Sequence, residues 1–144
     1  MKRRDFLLVL LGSAALLKLD ARSVAAEALR EPAPGSAERK AIMEALRGPV
    51  TKQVGKRVTF TGTVKIRGGW ATFSGGAAPS DGVPPKDENV AGELELDLFA
   101  LLRKTGSEWK VLHWGFAGDI GVMEEARKKF PAAPKALLPE LSGR

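Results

Sequence analysis

The clearest pattern in the chain is the strict alternation across residues 57–67. Val58, Phe60, Val64 and Ile66 fall on one side, and Thr59, Thr61, Thr63 and Lys65 on the other. A period of two is the mark of a strand buried on one face. Gly68-Gly69 supplies a two-residue hairpin turn, and residues 70–75 return as a second strand. Upstream the apolar spacing becomes helical. Ser36 offers an N-cap, Ile42, Met43 and Leu46 share a stripe, and Gly48-Pro49 marks a stop, so the pattern predicts a helix over residues 37–47.

Residues 77–92 hold three prolines and an Asp81-Gly82 turn signal, which predict a long loop. A third strand over residues 93–103 alternates as far as Leu98 and then becomes continuously apolar. Gly106-Ser107 turns the chain, residues 109–116 form a fourth strand, and residues 122–130 predict a short helix. The implied fold class is α+β: one N-terminal helix on a four-stranded antiparallel sheet of two hairpins, with a short C-terminal helix and tail.

Two-residue turns fix which side chains share a face. They place Ile66 opposite Ala71 and Val64 opposite Phe73. In the second hairpin Leu102 faces Val111, Leu101 faces Leu112, Ala100 faces His113 and Phe99 faces Trp114. One sheet face then carries Val58, Phe60, Val64, Ile66, Phe73, Leu94, Leu96, Leu98, Leu102 and Val111, and the first helix is expected there. The other face is Thr-rich and charged over the first hairpin but holds Phe99, Leu101, Leu112, Trp114 and Phe116 over the second. Five large apolar side chains are not left in water. Their cover is the C-terminal segment (Ile120, Val122, Met123, Phe130, Leu137, Leu138), a second copy of the chain in a homodimer, or a ligand in a groove between sheet and tail.

Residues 1–26 have the layout of a removable export signal. Lys2, Arg3 and Arg4 form a positive start, residues 6–17 an apolar run, and Val24-Ala25-Ala26 a small-residue cleavage site, with a second possible site after Ala28. The run is shorter than the roughly 20 residues that span a bilayer, so no retained membrane anchor is expected. Arg3-Arg4-Asp5-Phe6-Leu7 resembles the twin-arginine signal R-R-x-F-L, which implies the twin-arginine translocase as an export partner. Lys2 and Leu8 depart from that pattern at its flanks, and general secretion is the alternative. Either route implies a periplasmic or secreted protein. The remaining organisation reads as a Pro-rich linker at 27–35, one domain at 36–130 and a Pro/Ala-rich tail at 131–144.

The signal also changes the charge. Of 23 basic and 17 acidic residues, cleavage after Ala26 removes five and two, so the net charge falls from +6 to +3 over 118 residues. Nucleic-acid binding loses its main support. The chain has no cysteine, which excludes disulfides, thiolate metal sites and cysteine nucleophiles. No cofactor or metal site is expected.

The order helix, hairpin, loop, hairpin resembles the cystatin-like and NTF2-like α+β group. Locally, Arg39-Lys40-Ala41-Ile42, Ala45-Leu46-Arg47, Gly69-Trp70-Ala71, Asp81-Gly82, the run Phe99 to Lys104, Trp109 and Gly118-Asp119 resemble a family of small exported bacterial proteins of unknown function, over about residues 38–130. The resemblance implies a fold and a compartment but no activity. Cystatin inhibitors carry a Q-x-V-x-G hairpin; Gln53-Val54-Gly55 has the wrong spacing and precedes the strand.

Candidate chemistry is sparse. His113, the only histidine, could act as a general base with Asp119 or a loop acid as partner, the arrangement of a small NTF2-like acid–base enzyme. The other reading of His113 is a core histidine bonded to a backbone or carboxylate group. Glu93, Glu95 and Asp97 fall on one face of the expected third strand, as a solvated row or a hard-cation site. Arg67 and Trp70 flank the first hairpin turn as a cation–π pair. Without a catalytic set, the sequence favours a non-enzymatic envelope protein. It would bind a small apolar ligand or another protein through Phe99, Leu101, Leu112, Trp114 and Phe116.

Overall fold

Pro49 does not end the first helix. The computed structural model describes residues 28–116 and 118–139, and helix α1 (Ala37–Val54) runs straight through Gly48-Pro49. Ser36 caps it as expected, its hydroxyl accepting from the Arg39 N–H at 3.2 Å. It closes at Gly55, in the left-handed region at φ 81°, whose N–H donates to the Thr51 carbonyl at 2.8 Å. An interior proline costs a helix about 3 kcal/mol. The extra turns bring Val50 and Val54 into the core, and burying each of two such side chains returns about 1.5–3 kcal/mol. Burial outweighs the local stop signal.

The chain continues through β1 (Val58–Arg67), β2 (Trp70–Pro79), a short α2 (Glu88–Leu94), β3 (Leu98–Thr105), β4 (Glu108–Phe116) and α3 (Gly118–Lys129). The strands form one antiparallel sheet in the order β1-β2-β3-β4, the α+β arrangement that the pattern predicts. Both hairpin turns fall where expected, with Arg67 paired to Trp70 and Thr105 to Glu108. Gly68 (φ 59°) and Gly106 (φ 64°) occupy the first turn position, where a type II′ turn needs a positive φ.

The third strand starts later than the alternation predicts. Residues 88–94 form α2 instead, capped by Asp87, whose carboxylate accepts from the Asn89 N–H at 2.9 Å. Leu94 therefore reaches the core from a helix, and Leu96 stays 45% exposed in the connection. Glu93, Glu95 and Asp97 do not form a row on a strand. Glu93 accepts from the Gln53 side-chain amide at 2.8 Å, and Glu95 is the residue that ends α2.

The register of the second hairpin breaks once. Leu102 faces Val111, but Leu101 faces His113, so Leu112 is the extra residue of a β-bulge. Beyond it every β4 side chain changes face. Trp114 stands opposite Ala100 and Phe116 opposite Leu98, and both pack against the core under α1, edge to face with centroids 5.5 Å apart. The expected cluster of Phe99, Leu101, Leu112, Trp114 and Phe116 is therefore split between the two faces. His113 and Gly115 turn toward α3 instead.

Two cores result. On one face Ile42, Leu46, Val50 and Val54 of α1 meet Val58, Val64, Ile66, Phe73, Leu98 and Leu102. On the other, Phe99 and Leu101 are covered by Val122 and Ala126 of α3 and by Ala133, Leu137 and Leu138 beyond it. The C-terminal segment is the cover over these two residues. Trp70 joins this second core beneath Arg103, 4.7 Å from the ring centroid, because Arg103 is its partner across β2–β3. The cation–π partner is thus Arg103, not Arg67.

Residues 28–35, expected as part of a linker, are docked along β1. Arg30 and Ile66 exchange backbone hydrogen bonds of 2.9 and 2.8 Å, and Pro32 is buried. Two arginines of α1 reach the same edge. Arg39 donates to the Gly62 carbonyl at 3.1 Å and Arg47 to the Val58 carbonyl at 3.2 Å. Three outward carbonyls of β1 are thereby occupied, which blunts that edge against pairing with another chain.

Candidate functional site

The polar half of the second sheet face leaves room beside the C-terminal segment. Cross-strand pairing sets Thr63 opposite Ser74 and Lys65 opposite Thr72. These are short or flexible side chains beside the bulky Phe99, so the sheet surface steps down from β3 toward β1. The C-terminal segment rests on the high side, held by Leu137 and Leu138, and bridges the step. Beneath it lies a cleft of about 350 Å³, floored by Thr63, Lys65, Thr72, Ser74 and Phe99, and walled by Met123, Leu137 and Pro139. That volume is at the small end of ligand pockets, which span about 300–1,000 Å³. Thr72 is only 4% exposed although it lines the cleft.

The docked N-terminal arm completes the outer wall. The antiparallel bridge between Arg30 and Ile66 brings Glu31 beside Lys65, and Glu31 lines the cleft. Arg30 turns the other way, toward α1, and grips Glu38 with two hydrogen bonds of 2.6 and 2.8 Å. Those bonds from Arg30 hold the Glu38 carboxyl below the usual carboxylate range. The pair anchors the arm and so fixes where Glu31 stands. The cleft thus combines three hydroxyls, one ammonium and one carboxylate with an apolar wall.

Few of the residues singled out from the sequence meet here. Phe99 lines the cleft, whereas Leu101 is sealed in the second core. Leu112 is the bulge residue, and Trp114 and Phe116 lie on the α1 side of the sheet. His113 is outside the cleft. Its Nε2 lies 3.3 Å from the exposed Glu125 carboxylate of α3. Asp119 falls in the first turn of α3. Among the described residues, no three of the metal-ligating types His, Asp and Glu come together to hold a metal ion.

Sequence reasoning missed Glu31, Lys65, Thr72 and Ser74 as a group. The Thr row reads as ordinary strand propensity, and only the step in side-chain size between the hairpins marks the hollow. Arg3, Arg4, Phe6 and Leu7 of the signal lie outside the described residues. No helix among the described residues is long and apolar enough to cross a membrane. Compared with known proteins, the chain matches no protein family, no curated protein and no solved structure.

Proposed function

We propose that this is an exported, non-enzymatic binding module that holds a small molecule in the cleft between its sheet and its C-terminal segment. The observation that carries the reading is the cleft itself. It has an apolar wall and several convergent polar groups, the usual make-up of a small-molecule site. In this reading the ligand lies on the polar half of the second sheet face, beside the apolar residues expected from the sequence. Phe99 and Leu101 are covered by the protein's own tail, and neither a second copy nor an apolar ligand is needed to shield them.

The acid–base alternative rests on His113. Its partner is Glu125, and this pair does not line the cleft, so the geometry supports binding better than catalysis. Export rests on the layout of residues 1–26.

Each half has its own test. For binding, amide spectra are recorded while pools of small metabolites are added. Shifts confined to Thr63, Lys65, Thr72, Ser74 and Phe99 are expected; shifts centred on His113 instead would favour the enzyme. For export, the Arg3→Lys, Arg4→Lys precursor should accumulate in the cytoplasm. Undiminished export of that double variant would leave general secretion as the route.

A further inference from the structure

The cleft is lined by one residue of each charge, on neighbouring chain segments, and that narrows its ligand. Lys65 projects from β1 on the sheet face away from α1, and the arm's register places Glu31 next to it. Both line the cleft, together with Thr63, Thr72 and Ser74. A ligand carrying only an anion gains from Lys65 and is repelled by Glu31. A ligand carrying only a cation meets the reverse. Like charges in proximity oppose binding as directly as unlike charges favour it. A molecule with both signs a few bonds apart satisfies both residues at once.

The rest of the lining fits the same class. Hydroxyls both donate and accept, so the Thr and Ser side chains can serve a carboxylate or an ammonium. The wall formed by α3 and the C-terminal segment offers Met123, Ala136 and Pro139 to an apolar substituent. We infer that the cleft takes a small zwitterion with an apolar side chain, the chemistry of an apolar α-amino acid. The carboxylate meets Lys65 and the hydroxyls, the ammonium meets Glu31, and the side chain lies on Met123, Ala136 and Pro139. This rests on the reading of the cleft as the ligand site.

Three probes with one hydrocarbon chain separate the possibilities: 2-aminooctanoate, octanoate and octylamine, each titrated into the protein by calorimetry and amide spectra. The zwitterion is expected to bind at least fivefold more tightly than either single-charge probe. Glu31→Gln should erase its advantage over octanoate, and Lys65→Gln its advantage over octylamine. Both positions are exposed, so the variants keep the fold. Equal binding of octanoate and 2-aminooctanoate in the cleft would overturn the zwitterion assignment and leave the cleft as a site for amphipathic acids. If none of the three, nor any metabolite pool, shifts the cleft residues, the binding reading falls with it.

Discussion

Trp114 stands opposite Ala100 across the β3–β4 ladder, one residue from where an unbroken hairpin would set it. The displacement puts the indole under α1, against Phe116, and leaves Gly115 beneath α3. A Cβ added at Gly115 would come within 3.0 Å of a Val122 methyl. One extra residue at Leu112 thus decides which helix packs closely on the end of β4.

Trp114→Ala should therefore weaken the α1 core and leave the C-terminal cover in place. Truncating a fully buried aromatic costs about 3–5 kcal/mol. Trp114 is half-buried, so a loss of about 2–3 kcal/mol is expected in urea melts. The amides of Val122, Ala126 and Leu138 should hardly move. Large shifts there would mean that the indole faces α3 after all.

How much of this was legible in the sequence depends on the range of the signal. Alternation in β1 and the turn glycines act over two to four residues, and they fixed the first hairpin and its register correctly. Ser36 likewise marked the helix start. Gly48-Pro49 misled because its penalty is local, whereas the gain from Val50 and Val54 comes from residues far along the chain. The leucines at 94, 96 and 98 alternate as a strand would, yet Asp87 caps a helix there, and a cap outweighs a short periodic run. The bulge left no mark, since Leu101, Leu102, Val111 and Leu112 read the same in either register. The cleft was invisible for a further reason: it joins an N-terminal arm, the first hairpin and the C-terminal segment, and no local pattern links them.

Gly62 and Gly75 should tolerate no side chain. They pair across β1–β2, and a Cβ on Gly62 would lie 2.3 Å from the Ser74 carbonyl oxygen and 2.7 Å from the Gly75 Cα, both backbone atoms that cannot yield. Gly62→Ala is expected to cost about 3 kcal/mol, the upper part of the usual range for overpacking. Gly115→Ala meets only a valine methyl at the sheet end, and about 1 kcal/mol or less is expected. Equal losses in parallel denaturant melts would show that the close approach of β1 and β2 is not what these glycines serve.

Acid should loosen the N-terminal arm. The Glu38 carboxyl is held low by its bonds to Arg30, so folding favours its ionised form. The stabilisation is complete above the ordinary carboxylate range and is lost as the pH falls through the lowered value of the folded state. Both side chains are partly exposed, so water screens the pair and only about 0.5 kcal/mol is expected. Glu38→Gln should lose that amount near neutrality and show a flatter acid limb in stability against pH. Hydrogen exchange at the Arg30 and Ile66 amides should rise in step, since those two bonds hold the arm to β1. An unchanged acid limb would mean that the arm is held by its backbone bridge and Pro32 alone.

The C-terminal segment should prove a structural part of the domain. Leu138 is 1% exposed and belongs to the core that shields Phe99 and Leu101. Arg127 of α3 ties the segment down, its Nε donating to the Leu138 carbonyl at 3.4 Å and its Nη2 to the Pro139 carbonyl at 3.2 Å. Leu138→Ala removes side-chain volume from a site packed on every side, and such changes cost about 2–5 kcal/mol. Ending the chain at Phe130 goes further, removing Ala133, Leu137 and Leu138 together and opening the far wall of the cleft. Phe99 and Leu101 would then form part of an exposed apolar patch, and patches of that kind bind hydrophobic dyes and drive self-association. Dye fluorescence and size-exclusion chromatography at several concentrations should show both effects. The Trp114 indole N–H signal should stay where it is, because that ring packs on the other side of the sheet. A shortened chain that remains monomeric, binds no dye and melts at the original temperature would show that residues 131–139 do not cover the sheet.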